Sequence, residues 1–150
     1  MPMDDLNDLV QEILEKGYLM SLATVDDGGP WVSDVVYVSD GLDIYWISKE
    51  ETRHSQAIIN HSSVAATITI SNQLGEQNVG LQIAGTAQKI DGEIYKMAVA
   101  HRLKRKKDPP KEDEQFLKST ESWYLLKPTK VEIIYEPKWG YEKKELVLKK

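Results

Sequence analysis

The sequence predicts a mainly β domain of the α+β kind: a small antiparallel barrel of six or seven strands, decorated by helices. Three observations carry this. Apolar residues alternate at period two in short blocks from residue 18 onward. The blocks are joined by turns such as Asp26-Asp27-Gly28-Gly29 and Asp40-Gly41, too short for a crossover, so consecutive strands run antiparallel. Helical periodicity breaks in at only a few points, first at the N-terminus and then between strands. With 150 residues the chain has the size of a single domain.

The first helix is expected over 4–16. Leu6, Leu9, Val10, Ile13 and Leu14 form one stripe, Asp4 or Asp5 can cap its start, and Gly17 can stop it. Strands follow over 18–25, 31–39 and 42–48 as a meander. A short helix over 52–60 precedes a strand over 63–71, whose Val64, Ala66, Ile68 and Ile70 share one face. The loop 72–78 leads to a longer strand over 79–90, where Gly80 and Gly85 allow a bulge, a bend or the close approach of a ligand. Asp91 can cap a third helix reaching Lys106, with Ile94, Met97, Ala98 and His101 on one side, before Asp108-Pro109-Pro110. Two strands over 122–127 and 130–135 are expected to be split by Pro128, and the tail 143–149 can add an edge strand ending in lysine. Trp123 and Tyr124 belong to the core or to a dimer interface, with the interface preferred.

Composition excludes several classes of function. A hydrophobic fraction of 41% supports a real core, and a net charge of -5 disfavours general binding to nucleic acid, which needs surplus Lys and Arg. The chain has no cysteine, so a disulfide scaffold, a thiol nucleophile and a cysteine zinc site are excluded, and a reducing cytoplasm is the expected location. No apolar run approaches the ~20 residues of a membrane span, and the N-terminus lacks the pattern of a signal peptide. No metal site is expected. Four Trp and seven Tyr stand against one Phe, a balance suited to half-wet interfaces and ligand clefts.

The richest segment runs from Trp46 to Gln56, where a strand ends and a helix opens with Thr52-Arg53-His54. A helix start offers free backbone N–H groups and the positive end of the dipole. Thr52 adds a hydroxyl, Arg53 a planar fork and His54 a further donor, which together make a phosphate cradle. The alternative is that Thr52 is an N-cap and the two cations are solvated, although cations at that end of a helix need an anion or another reason. Among other candidates, His101 reads as a packed or surface residue, His61 as a helix-end residue, and Asp26-Asp27 and Glu50-Glu51 as turn chemistry. The basic run from Arg102 to Lys107 is either a solvated helix end or the rim of an entrance for an anionic ligand.

Four ordered stretches, Ser21–Val25 through Gly29–Ser33, then Ile47-Ser48, then Thr52-Arg53-His54, and last Gly80–Ala87, resemble the pyridoxamine 5'-phosphate oxidase-like, FMN-binding split-barrel superfamily, and the compact layout is similar to its small bacterial members. The resemblance implies a split β-barrel with an N-terminal helix, forming a homodimer with FMN at the subunit interface. The family's phosphate-holding Ser-Arg-Lys run corresponds to Thr52, Arg53 and His54. The strand passing the flavin ring corresponds to Ser33, Asp34, Val35 and Val36, with Ser33 in place of an arginine. Ile47 and Ser48 match the strand-end pair beside the ring. The family's flavin-binding glutamine falls on Gly80, with Gln82 one same-face step away as its substitute. The C-terminal Arg-x-His-x-Arg stretch of the oxidase is replaced by Trp139, Tyr141 and Lys143, which argues against pyridoxamine-phosphate oxidation, while Lys143 remains a candidate to reach a flavin from the partner chain.

The expectation is therefore an FMN-dependent oxidoreductase acting on an unidentified small molecule, with no catalytic residue assignable. Two alternatives stand beside it: a non-enzymatic flavin-binding or storage protein, and a split barrel using haem or a deazaflavin. An absorbance spectrum separates flavin from haem, and bleaching by NADH or NADPH followed by turnover separates enzyme from carrier.

Overall fold

The structure, a computed structural model, describes residues 3–112 and 114–148. Its first helix, α1 (Met3–Lys16), buries Val10, Ile13 and Leu14, as the stripe requires. Asp5 lies inside the first turn rather than before it, and the side chain of Asp4 is outside the described residues, as is Lys149. Gly17 ends the helix: its N–H donates to Ile13 O at 2.9 Å, and a Cβ there would collide with the Tyr37 hydroxyl.

Three strands follow as the expected meander, β1 (Leu19–Asp26), β2 (Gly29–Asp40) and β3 (Asp43–Lys49). Asp26 faces Gly29 and Asp40 faces Asp43, so both hairpins close with two-residue loops. The helix α2 (Arg53–Asn60) is capped by Thr52, and β4 (Ser63–Thr69) alternates strictly between buried and exposed residues. The strand β5 (Val79–Ile90) has the expected bounds.

The next helix departs from expectation at its start. α3 (Tyr95–Lys104) has Ile94 as its N-cap, without a side-chain hydrogen bond, and Asp91 plays no capping part. Gly92 explains this: its φ of +82° turns the chain after Asp91 before any helix can begin. At the other end Lys106 takes a φ of 57°, with Lys106 N–H donating to Leu103 O and Lys107 N–H to Arg102 O, both at 2.9 Å. Lys104 ties this helix to α1, donating to Leu14 O at 3.2 Å with its ammonium 3.9 Å from the Tyr37 ring centre.

The two strands expected around Pro128 are one, β6 (Glu121–Tyr135). Pro128 sits opposite Gly85 at a register shift, where Thr129 is the extra residue and its hydroxyl donates to Ala84 O at 3.2 Å. A bulge demands no N–H from proline, so the strand bends instead of breaking. Gly85 is required there, because a Cβ would run into the backbone carbonyl of Lys127. The bend lets β6 change partners. Its first half pairs with β3 and its second half with β7 (Lys144–Leu146), while β5 follows both halves. A single turn, α4 (Glu136–Trp139), links β6 to β7.

The sheet order is β3-β2-β1-β4-β5-β6-β7, and the additional β3–β6 pairing closes six strands into an antiparallel barrel with β7 outside the ring. This is a split barrel. The main core fills it with Leu22, Ile44, Trp46, Ile68, Leu81, Tyr124 and Leu126, with Trp46 stacked on Tyr124 at 5.8 Å. A smaller cluster of Val38, Met97, Ala98 and Trp123 lies between α3 and the outer face of β6. Burial on both faces gives β6 five consecutive buried residues, Ser122 to Leu126. Trp123 and Tyr124 are thus core residues, so of the two readings the core one holds and the preference for an interface is corrected: α3 covers one and the barrel encloses the other. No helix among the described residues is long and apolar enough to cross a membrane.

Candidate functional site

The loop between β3 and α2 is built by short-range chemistry. Thr52 has extended backbone (φ -65°, ψ 152°), its hydroxyl donates to Lys49 O at 2.9 Å and its oxygen accepts from Ser55 N–H at 3.3 Å. The capping alternative for Thr52 is thereby realised. The cap aims the next two side chains in opposite directions. His54 turns inward, its Nε2 lying 2.8 Å from Ser48 Oγ and 3.4 Å from Thr52 Oγ1. Burial lowers its pKa, disfavouring the charged ring. Arg53 turns outward: Nε donates to Asp26 Oδ2 at 2.8 Å and Nη2 to Asp26 Oδ1 at 3.0 Å, while the guanidinium lies 4.4 Å from the Trp31 ring centre. Asp26 also accepts from Gly28 N–H at 2.8 Å, and the Arg53 fork holds its carboxyl below the usual range.

His54 opens onto a cavity of roughly 510 Å3 whose other walls come from distant parts of the chain. β2 contributes Asp34, Val35 and Val36, and the end of β3 contributes Ile47 and Ser48. Thus six of the residues singled out in the sequence meet in one place. The opposite wall is α3 and the segment after it, with His101, Arg102, Arg105, Lys107, Phe116, Lys118 and Glu121. Four cationic side chains face two carboxylates there, so the cavity favours an anion, and the apolar parts of Val35, Val36, Ile47 and Phe116 offer contact to a ring. Both readings of the basic run fit: Arg105 and Lys107 are exposed at the helix end, and with Arg102 they line the cavity.

The remaining sequence candidates lie elsewhere. Arg53 belongs to a separate cleft with Asp26, Asp27, Gln56, Asn60 and His61. Ser33 pairs opposite Leu22 and is half-buried on β2, next to Asp34 but not in the cavity wall. Gln82 is on β5, three strand spacings or about 14 Å across the sheet from β2. Lys143 is exposed just before β7, which pairs with the end of β6 remote from Glu121. A Cβ at Gly80 would meet Ile68 O and one at Gly85 Lys127 O, and Gly80 lines, with Gln82, a separate cleft beside β4 and β5. Among the described residues no group of three His, Asp or Glu side chains comes together to hold a metal.

His101 and Phe116 are the cavity residues that the sequence least announced. His101 was expected to be packed or at the surface, and it is packed, edge-on against Phe116 at 5.8 Å and Trp123 at 6.1 Å, yet it also lines the cavity. The basic run following it was the available signal.

Comparison with known proteins agrees with this architecture. The family model described as pyridoxamine 5'-phosphate oxidase matches residues 6–134. The UPF0306 protein PM1958 of Pasteurella multocida is 26% identical over 103 residues, spanning 63% of this chain and 69% of that protein. Among solved structures, a heme binding protein from Mycobacterium smegmatis superposes with a TM-score of 0.68 at 17% identity, covering 93% of this chain and 56% of that one. A protein described as F420 reductase superposes with a TM-score of 0.63 at 17% identity, covering 81% of this chain and 94% of that one.

Proposed function

The chain belongs to the pyridoxamine 5'-phosphate oxidase family, and from that premise we propose that it binds FMN in the cavity between β2, β3 and α3 and serves as a flavin-dependent oxidoreductase for a small molecule. The observation that carries the proposal is the convergence of Asp34, Val35, Val36, Ile47, Ser48 and His54 on one cavity with a cationic rim. The donor set fits the group: hydroxyl and imidazole donors with guanidinium and ammonium groups suit a phosphate, and the strand edge with Val35, Val36 and Ile47 suits a planar ring.

Within this reading Ser48, Thr52 and His54 hold the phosphate end, and Asp34 to Val36 pass the ring, with Ser33 next to them outside the cavity wall. Arg53, next to His54 at the start of α2, joins the phosphate by giving up its Asp26 pair and its place over the Trp31 ring. When bound, FMN supplies the hydride and electron transfer, so the protein needs only to hold it, exclude bulk water and admit the substrate.

Gln82 and Lys143 reach the ligand from a second copy of the chain. The support is the outer face of the barrel, where Val32, Ala23, Ala65 and Ala84 form one row across four strands and Asp34, Ser21, Thr67 and Gln82 form the next. These rows carry no lysine or arginine, Val32 is 61% exposed, and Asp34 belongs both to this face and to the cavity. A homodimer on this face places the cavity at its margin. True pyridoxamine-phosphate oxidation is not part of the proposal: Trp139 packs on Tyr135 at 6.0 Å and Tyr141 is exposed, and neither replaces the donors of an Arg-x-His-x-Arg stretch.

A second reading, haem or a deazaflavin in the same cavity, draws on the two solved neighbours and on His101 as a buried histidine in its wall. The absorbance spectrum of the purified protein tests both. A flavin spectrum bleached by NADH or NADPH supports the oxidoreductase, a flavin spectrum inert to both supports a carrier, and a Soret band overturns the flavin assignment.

A further inference from the structure

His101 is 7% exposed, and its Nδ1 is buried without a hydrogen-bond partner among the described residues. A buried polar atom left unpaired is costly, so its presence calls for a reason. Packing alone does not supply one, because the surroundings are apolar. The ring stands edge-on to Phe116 (68°) and Trp123 (88°), beside Met97 and Ala98, where leucine would fit without the penalty. Those two aromatic rings fix the plane of the imidazole. Nδ1 sits at the base of the ring and is sealed, which leaves the distal edge, with Nε2, to meet the cavity that His101 lines.

The protonation state follows from the neighbours. Arg102 and Lys104 of α3 and its C-cap Arg105 oppose a charge on the ring, and Glu121 of β6 favours it. Asp34, His54, Lys107 and Lys118 line the same cavity. Burial first, then Arg105 and Arg102, pull the pKa down to about 4, so the ring is neutral at physiological pH. A neutral ring carries one proton. An unpartnered buried N–H is rarer than an unpartnered acceptor, so the proton belongs on Nε2.

We infer that His101 is a ligand-contacting residue, whose Nε2–H donates a hydrogen bond to a neutral acceptor, such as a ring carbonyl, on the molecule that enters this cavity. The inference extends the FMN reading from the phosphate end to the opposite wall, and it rests on that reading for its probes. FMN and riboflavin share the ring and its carbonyl acceptors and differ in the phosphate, so a contact from His101 acts on both alike.

The test combines titration of both flavins with ligand-free melting of the full chain, for the parent, His101→Leu and His101→Gln. Leucine should weaken FMN and riboflavin equally, by about 3- to 10-fold, as expected for one neutral hydrogen bond. Glutamine returns an N–H donor and should restore both affinities. His101→Leu should also melt at or above the parent's temperature, since it removes an unpaired buried nitrogen. Unchanged affinity in His101→Leu, or melting several degrees lower, overturns the inference and makes the imidazole a packing group. If the parent binds neither flavin, the FMN reading fails, and the melt then decides for His101: at or above the parent supports a ligand role, below it overturns that role.

Discussion

Replacing Asp26 by asparagine should raise the affinity for FMN without changing that for riboflavin. In the ligand-free protein the Arg53 fork is closed on both Asp26 oxygens, at 2.8 and 3.0 Å. A phosphate must compete with that carboxylate for the same donors. Asparagine keeps Oδ1, so the Gly28 N–H can still donate to it and the hairpin is preserved, but the charge is lost. The pair is solvent-exposed, and such pairs are weak, so removing the competitor should tighten FMN by up to about fivefold. Arg53→Ala should act oppositely, weakening FMN about 5- to 30-fold, because a charge-assisted contact is lost and only the competing pair is recovered. Riboflavin lacks the phosphate and should respond to neither change. Quenching of flavin fluorescence, titrated with both ligands into the three proteins, reads all of this. If Asp26→Asn and Arg53→Ala both leave FMN affinity at the parental value, Arg53 takes no part, and the phosphate lies with Arg102 and Arg105 on the other wall.

Acid should destabilise the protein through His101. The folded pKa of about 4 lies below the unfolded value near 6.5, so the unfolded chain binds more protons between them and stability falls as pH drops through that window. Urea midpoints from pH 7 to 4 should fall for the parent and fall less for His101→Leu. Gly85→Ala should destabilise by about 2 kcal/mol, since the added methyl meets the Lys127 carbonyl and the Leu126 side chain at the barrel bulge; a chemical melt with an unchanged midpoint refutes the packing argument. Ala65→Arg, in the centre of the alanine row, should turn a dimer into a monomer by light scattering, and a parent that is already monomeric sinks the interface.

What could be read from the sequence followed from local chemistry. The two hairpins, the Thr52 cap and the alternation of β4 each depend on a few adjacent residues, and all three stand in the structure. What escaped was decided by remote partners. Pro128 looks like a strand break until Gly85, 43 positions earlier, is seen opposite it at the bulge. Trp123 and Tyr124 look like interface residues because alternation cannot show that α3 lies over the outside of β6. Asp91 is the one local exception: it failed as a cap because its neighbour Gly92 turns the chain first. The site divided in the same way. Its β2, β3 and α2 wall, Asp34 to Val36, Ile47-Ser48 and His54, was legible through the resemblance to the family. Its α3 wall needed the fold to bring Arg102, Arg105 and Phe116 across to meet it.

The central claim is that FMN occupies the cavity shared by β2, β3 and α3, and the most direct measurement is an FMN titration of the parent beside Ser48→Trp, whose indole would fill the cavity next to His54. The parent should saturate with one FMN per chain, while the tryptophan variant, checked to melt like the parent, should show no saturable binding. Failure of the parent to saturate, or equal binding by the filled variant, would contradict the account.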